Sequence, residues 1–141
     1  MTYQVTPYLP YRPEVKPASK EFLTILKEEG IRDLISDFYD NLIESEIKDL
    51  FPTGEGFEKA KQHSADFFIQ YFGGPAYFNQ NRGRPMMAAR HSAFRITPSA
   101  RLVWLECFKM SLEKITMDET IKQSFWDYID IFSIWMVNTP E

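Results

Sequence analysis

The chain has 141 residues, with 16 Lys and Arg against 20 Asp and Glu for a net charge of −4. That length fits one compact domain able to bury a core without cross-links. A single cysteine, Cys107, excludes an internal disulfide framework and any multi-cysteine metal centre, and two histidines, His63 and His91, exclude a three-histidine site. Mild acidity argues against a nucleic-acid partner. No stretch approaches the roughly 18 apolar residues of a membrane span, and no apolar leader run is present, so the expectation is a soluble, cytoplasmic protein. The unusual feature is an aromatic content of 16 %, more than a core of this size requires.

Residues 1–18 read as an arm, with Pro7, Pro10, Pro13 and Pro17 favouring extended or irregular backbone. Tyr3, Tyr8 and Tyr11 could lie on the domain surface, and a disordered tail fits equally well. The domain proper spans 19–141. Ser19 suits the cap of a short helix ending near Gly30, with Phe22, Leu23, Ile25 and Leu26 inward and Lys27 in solvent. A second helix follows on Ile31, Leu34, Ile35, Phe38, Tyr39, Leu42 and Ile43, spaced by three and four. Residues 47–56 form a corner ended by Pro52, Gly54 and Gly56. Phe57 to Phe72 is helical again, with Phe57, Ala60, Ser64, Phe67, Phe68, Tyr71 and Phe72 near one face.

Gly73-Gly74-Pro75 ends that helix, and the residues through Pro85 read as irregular. A short helix is expected over Met86 to His91. Thr97-Pro98 is a cap followed by proline at the first helical position, opening a helix to about Ile115. Asp118 caps a last helix whose inner face is Ile121, Phe125, Tyr128, Ile129, Phe132, Trp135 and Met136. No β-alternation is present, so the class is all-α, with five or six helices.

Between Phe67 and Leu105 the chain carries no Asp, Glu or Lys but five arginines: Arg82, Arg84, Arg90, Arg95 and Arg101. In an otherwise acidic chain this is a local inversion. One reading is a surface loop whose arginines pair with acids elsewhere in the fold. The other is an anion site, because the guanidinium fork matches carboxylate or phosphate and nearby acids would weaken it. The apolar residues interleaved with these arginines favour an anion with a large apolar body, and no Walker-type glycine motif is present. His91 lies inside the segment, with Arg90 beside it, Met86 and Met87 a turn back and Phe94 just after. A lone histidine is commonly structural. One imidazole in an apolar slot cannot hold bare zinc, which needs three or four protein ligands. It can hold a metal whose other ligands come with a cofactor, and haem iron is the obvious case. The absence of Cys-x-x-Cys-His excludes covalent c-type attachment.

Gly73-Gly74-Pro75, Tyr77, Arg82-Gly83-Arg84-Pro85, Arg90-His91, Phe94-Arg95-Ile96, Arg101, Trp104-Leu105 and Cys107 together resemble the group II truncated haemoglobins. Phe38-Tyr39 and Phe51-Pro52 also fall where that family has its distal tyrosine and corner aromatic. The resemblance covers roughly residues 20–139. It implies a truncated globin, a two-over-two helical sandwich around non-covalent haem b, with His91 as proximal iron ligand. Tyr39 and Trp104 would be distal donors to O2, CO or NO, and Phe51 would pack on the porphyrin. Ala60, Ser64, Phe67 and Phe68 would line the distal helix, and Met87 and Phe94 the cofactor slot. Arg90 and Tyr77 would neighbour the propionates, as would Lys61 and His63. The chain departs from the family's pattern at Arg84, commonly histidine, at Phe51, which cannot donate, and at Ser64, where a longer side chain is usual.

Three functions follow from this reading. The first is reversible binding of a diatomic gas. The second is a haem enzyme, oxidising NO to nitrate or acting like a peroxidase, with electrons from a separate reductase. The third is a haem-free helical module whose arginine segment binds an acidic partner. Monomer and homodimer both remain open.

Overall fold

Six α-helices and one 3-10 turn account for the regular structure in a computed structural model describing residues 1–141, and no strand is present. The helices are α1 (Glu21–Leu42), α2 (Glu55–Tyr71), α3 (Tyr77–Arg82), α4 (Met87–His91), α5 (Pro98–Leu112) and α6 (Glu119–Met136), with the 3-10 turn at Lys48–Leu50. No helix is long and apolar enough to cross a membrane. α1 packs against α2 and α5, and α5 packs against α6. The core between them is largely aromatic: Phe22, Phe38, Phe108, Phe125 and Trp126 are each almost fully buried.

The two helices expected over 19–43 are one continuous element with a break at Lys27, not at Gly30. Lys27 has φ 63° and ψ 175°, a conformation that L side chains rarely adopt. Gly30 has a different task. A Cβ there would stand 2.9 Å from the Leu26 Cβ, so glycine lets the chain pass close to Leu26 just after the break. The turn also changes which residues face inward. Ile25 and Ile43, both expected on the buried stripe, are 47 % and 40 % exposed.

Gly73 closes α2 with φ 93°, and the Gly74 amide donates to the Ile69 carbonyl at 2.9 Å. A Cβ on Gly74 would sit 2.8 Å from that same oxygen, which explains the glycine pair. The stretch after it is not wholly irregular: Tyr77–Arg82 forms α3. Gln70 holds it by bonding both the backbone and the side chain of Asn79, while Phe78 is buried against Phe67. Six residues are too few for periodicity to reveal. The caps at Thr97 and Asp118 are as expected, accepting from Ala100 and from Thr120 and Ile121. α5 ends at Leu112, earlier than Ile115.

The arm is extended and strapped along α6. The Trp126 indole donates to Gln4 O at 2.7 Å, the Trp135 indole to Pro13 O at 2.8 Å, and Gln123 bonds both polar groups of the Thr2 backbone. Tyr3 packs edge-on against Trp126, whereas Tyr8 and Tyr11 are exposed. α6 is therefore covered on two sides, which is why Trp126, Asp130 and Ser133 are buried although they lie off its expected inner face. Under the arm Arg101 and Asp130 form an ion pair at 2.6 Å, both almost fully buried. The remaining polar atoms are matched: Arg101 also donates to Ser133 Oγ, Asp130 O and Thr6 O, while Thr6 N and Oγ donate to the Asp130 carboxylate.

Three stability changes are expected in urea unfolding. Lys27→Gly relieves the backbone and stabilises by about 1 kcal/mol. Asp130→Ala strands a buried guanidinium and costs about 3–5 kcal/mol, whereas Thr6→Val costs about 1 kcal/mol. Equal stability of Lys27→Gly and the parent would mean the break carries no strain.

Candidate functional site

α4 has five residues, too few to hold itself by its own hydrogen bonds. Its neighbours hold it. Arg90 donates from Nε to Pro85 O at 2.7 Å and from Nη2 to Arg82 O and Arg84 O at 2.6 and 2.8 Å, with its guanidinium over the Phe78 ring. Beyond α6, the Asn138 amide donates to His91 O and Phe94 O at 3.1 and 2.9 Å, and its oxygen accepts from the Ile96 amide. The loop leaving α4 is thus pinned to the end of the chain. Within the helix, His91 Nδ1 lies 2.6 Å from Met87 O. A carbonyl can only accept, so Nδ1 carries the proton and Nε2 keeps its lone pair. That is the arrangement in which a histidine serves a metal: one nitrogen oriented by the backbone, the other free to bind.

His91 lines a cavity of about 500 Å³ enclosed by α1, α2, the 3-10 corner and α3 to α6. Tyr39, Phe51, Ala60, Ser64, Phe67, Phe68, Met87, Arg90, Phe94 and Trp104 line it too, so the fold brings these expected residues around one space. Tyr39 is braced edge-on by Phe38, Phe51 and Phe57. Burial raises its phenol pKa, and a hydrogen bond with Ser64 partly offsets that. The hydroxyl is therefore protonated and available as a donor at neutral pH. Trp104 is wedged between Phe38 and Phe108. The other two indoles satisfy their N–H groups on arm carbonyls; that of Trp104, on the cavity wall, has no partner in the chain. Trp104 is half-buried, so its N–H is open to whatever the cavity holds.

Two expected residues are not on this wall. Lys61 points to α1, bonding Ser36 and Asp40 at 3.1 and 2.9 Å, with Nζ over the Phe57 ring. Tyr77 faces the Arg32 guanidinium and bonds Glu28. Both came from the family resemblance as propionate neighbours, and a one-position change around a helix moves a side chain by about 100°. The positions beside the cavity are Lys59, His63 and Arg82. Burial and the Arg82 charge hold His63 below its ordinary pKa, and its buried Nδ1 has no partner.

The arginine segment divides. Arg101 follows the bland reading, neutralised by Asp130, although it and Ser133 also form part of the cavity wall. Arg90 builds the loop under α4. Arg82 and Lys59 line the cavity without an ion-pair partner, and no carboxylate lines it anywhere. Phe132, Ser133 and Met136 of α6 close the cavity near α4 and were not anticipated, because a core stripe and a cavity stripe have the same period.

An imidazole nitrogen with a free lone pair, aromatic and aliphatic walls, an indole N–H without a partner, a protonated phenol and a cationic edge fit a flat apolar metal chelate bearing carboxylates. Haem satisfies each of these requirements. Comparison with known proteins agrees. A family model described as bacterial-like globin matches residues 22–138. A curated relative, the group 2 truncated hemoglobin YjbI of Bacillus subtilis, is 31 % identical over 117 residues, spanning 81 % of this chain and 86 % of that protein. Among solved structures, phosphate-bound Hell's gate globin IV superposes with a TM-score of 0.88 at 38 % identity, covering 93 % of this chain and 82 % of the other. A truncated oxygen-avid haemoglobin from Bacillus subtilis superposes at 0.76 with 26 % identity, covering 82 % and 98 %. The two-over-two helical sandwich implied by the sequence resemblance is the fold observed.

Proposed function

This chain belongs to the bacterial-like globin family, and on that premise we propose that it holds haem b non-covalently and binds O2, CO or NO reversibly. The observation that carries the proposal is the His91 imidazole, with Nδ1 engaged by Met87 O and Nε2 free, lining the cavity that also contains Tyr39 and Trp104. When bound, ferrous haem would supply reversible binding and polarisation of a diatomic gas.

The chain's own residues do the rest. His91 Nε2 would hold the iron, and the Met87 carbonyl orients the imidazole through Nδ1. Tyr39 and Trp104 present an O–H and an N–H to the partial negative charge that develops on a polarised ligand. In a space walled by Phe51, Phe67 and Phe68 little water competes with them. Ala60 and Ser64 set the room beside Tyr39. Lys59, His63 and Arg82 supply the cationic or donor groups for two carboxylates.

A second reading draws on the pair of donors in one cavity, an arrangement suited to retaining O2 rather than delivering it. In that reading the protein consumes NO with O2, yielding nitrate, and takes its electron from a separate reductase.

Absorption spectra after haem addition, in the ferric, ferrous and ferrous-CO forms, test the proposal. A stoichiometric Soret band with a histidine-type CO complex, lost or altered in His91→Ala, is the expected result. A protein that stays colourless with added haem overturns it and favours the arginine-bearing interaction module. Each distal donor contributes about 1.5–3 kcal/mol, so Trp104→Phe and Tyr39→Phe are each expected to speed O2 release about tenfold to a hundredfold. Unchanged release in both variants removes them from the site.

A further inference from the structure

The proline arm roofs a second cavity of about 600 Å³, lying between the arm, α2, α4 and α6. Phe67, Met87, Phe132 and Met136 form its partition with the first cavity, each lining both. The arm contributes Val15 and Pro17 to its rim, and the bond from the Trp135 indole to Pro13 O holds the arm in place there. The lining is almost wholly apolar, with Met86 and Met87 adding flexible, polarisable surface.

Two polar features break that apolar lining. Arg12 is the only charged side chain around this cavity; its guanidinium rests over the Trp135 ring at 5.4 Å and forms no ion pair in the chain. The guanidinium makes no hydrogen bond within the chain, so its N–H groups are free at the rim. Tyr128 is the second feature. It is 4 % exposed, stacks on Tyr71 with ring centroids 4.2 Å apart, and its hydroxyl makes no hydrogen bond within the chain. Burial keeps that phenol protonated. The cavity therefore offers a long apolar lining, one fixed cation at its edge, one unsatisfied hydroxyl on its wall, and no acid.

From this we infer that the arm-covered cavity is a binding site for a fatty acid, with the acyl chain against Phe67, Phe132 and Met87 and the carboxylate on Arg12. Charge complementarity selects a monoanion over a neutral lipid, and the apolar lining selects an alkyl chain over a small carboxylate. The site is separate from the gas-binding reading, since neither Arg12 nor Tyr128 lines the first cavity. It is nevertheless adjacent: an acyl chain here lies against Met87, the residue whose carbonyl orients His91.

Calorimetric titration of the haem-loaded protein with laurate, below its micelle concentration, tests the inference. Dodecanol serves as the uncharged control. Saturable binding of one laurate is expected, weakened about tenfold or more by Arg12→Glu and by exchange for dodecanol. Ala89→Trp, which fills the cavity from α4, is expected to abolish binding. Absence of binding, or equal binding to the parent and Arg12→Glu, overturns the proposal. So does a concentration-dependent dimer that laurate fails to dissociate, because a second copy would then be what covers the cavity. Haem stoichiometry of Arg12→Glu is expected to match the parent, so failure here is distinguishable from failure of the gas-binding reading.

Discussion

A space of about 500 Å³ must be kept open inside a chain of only 141 residues, and much of the structure follows from that demand. Apolar walls that face an open space lose packing contacts on that side, so keeping it open costs stability. The fold and the group that fills the cavity are therefore linked, and stability rises with occupancy by mass action. The walls resist collapse because they are rings. Phe38, Phe108 and Trp104 brace one another, and Tyr39 leans on Phe51 and Phe57. Flat, stiff side chains span a void with few rotatable bonds, which accounts for the aromatic surplus in the composition.

The same demand explains the arm. α6 closes the cavity with Phe132, Ser133 and Met136 and so cannot turn all its polar groups to water. Asp130 and Arg101 end up buried together, an arrangement that stabilises only when every remaining donor and acceptor is matched. Thr6 supplies three of those matches from the arm, through its amide, hydroxyl and carbonyl. Residues that look like a loose tail in the sequence thus complete the back of the cavity wall.

Much of this was legible in the sequence where the signal is local. The Thr97-Pro98 and Asp118 starts, the Gly73-Gly74 stop and the long apolar stripes all depend on residues within a turn or two of one another. What was hidden depends on distant partners. Trp126 lies off the inner stripe of α6 and is buried only because residues 1–13 cross it. Arg101 belongs by composition to a cationic segment and by structure to Asp130, 29 positions away. Lys27 gives no sequence sign of a break, because its backbone geometry is imposed by packing on either side rather than by its own preference. Lys61 and Tyr77 show another limit: α2 was expected and α3 was not, and in both cases which face met the cavity depended on how the helix is rotated against α1.

The acid-free segment takes its meaning from these placements. Its arginines do not form one anion site. Arg101 is spent on α6 and Arg90 on the carbonyls beneath α4, so the unmatched charge left on the cavity lining is that of Arg82, joined by Lys59 from α2. An Asp or Glu placed beside Arg90 or Arg82 would compete for these donors. It could draw Arg90 away from the loop that positions His91, or neutralise the edge that meets a carboxylate. One compositional rule, no acids from Phe67 to Leu105, therefore protects both the loop that carries His91 and the cationic edge of the cavity.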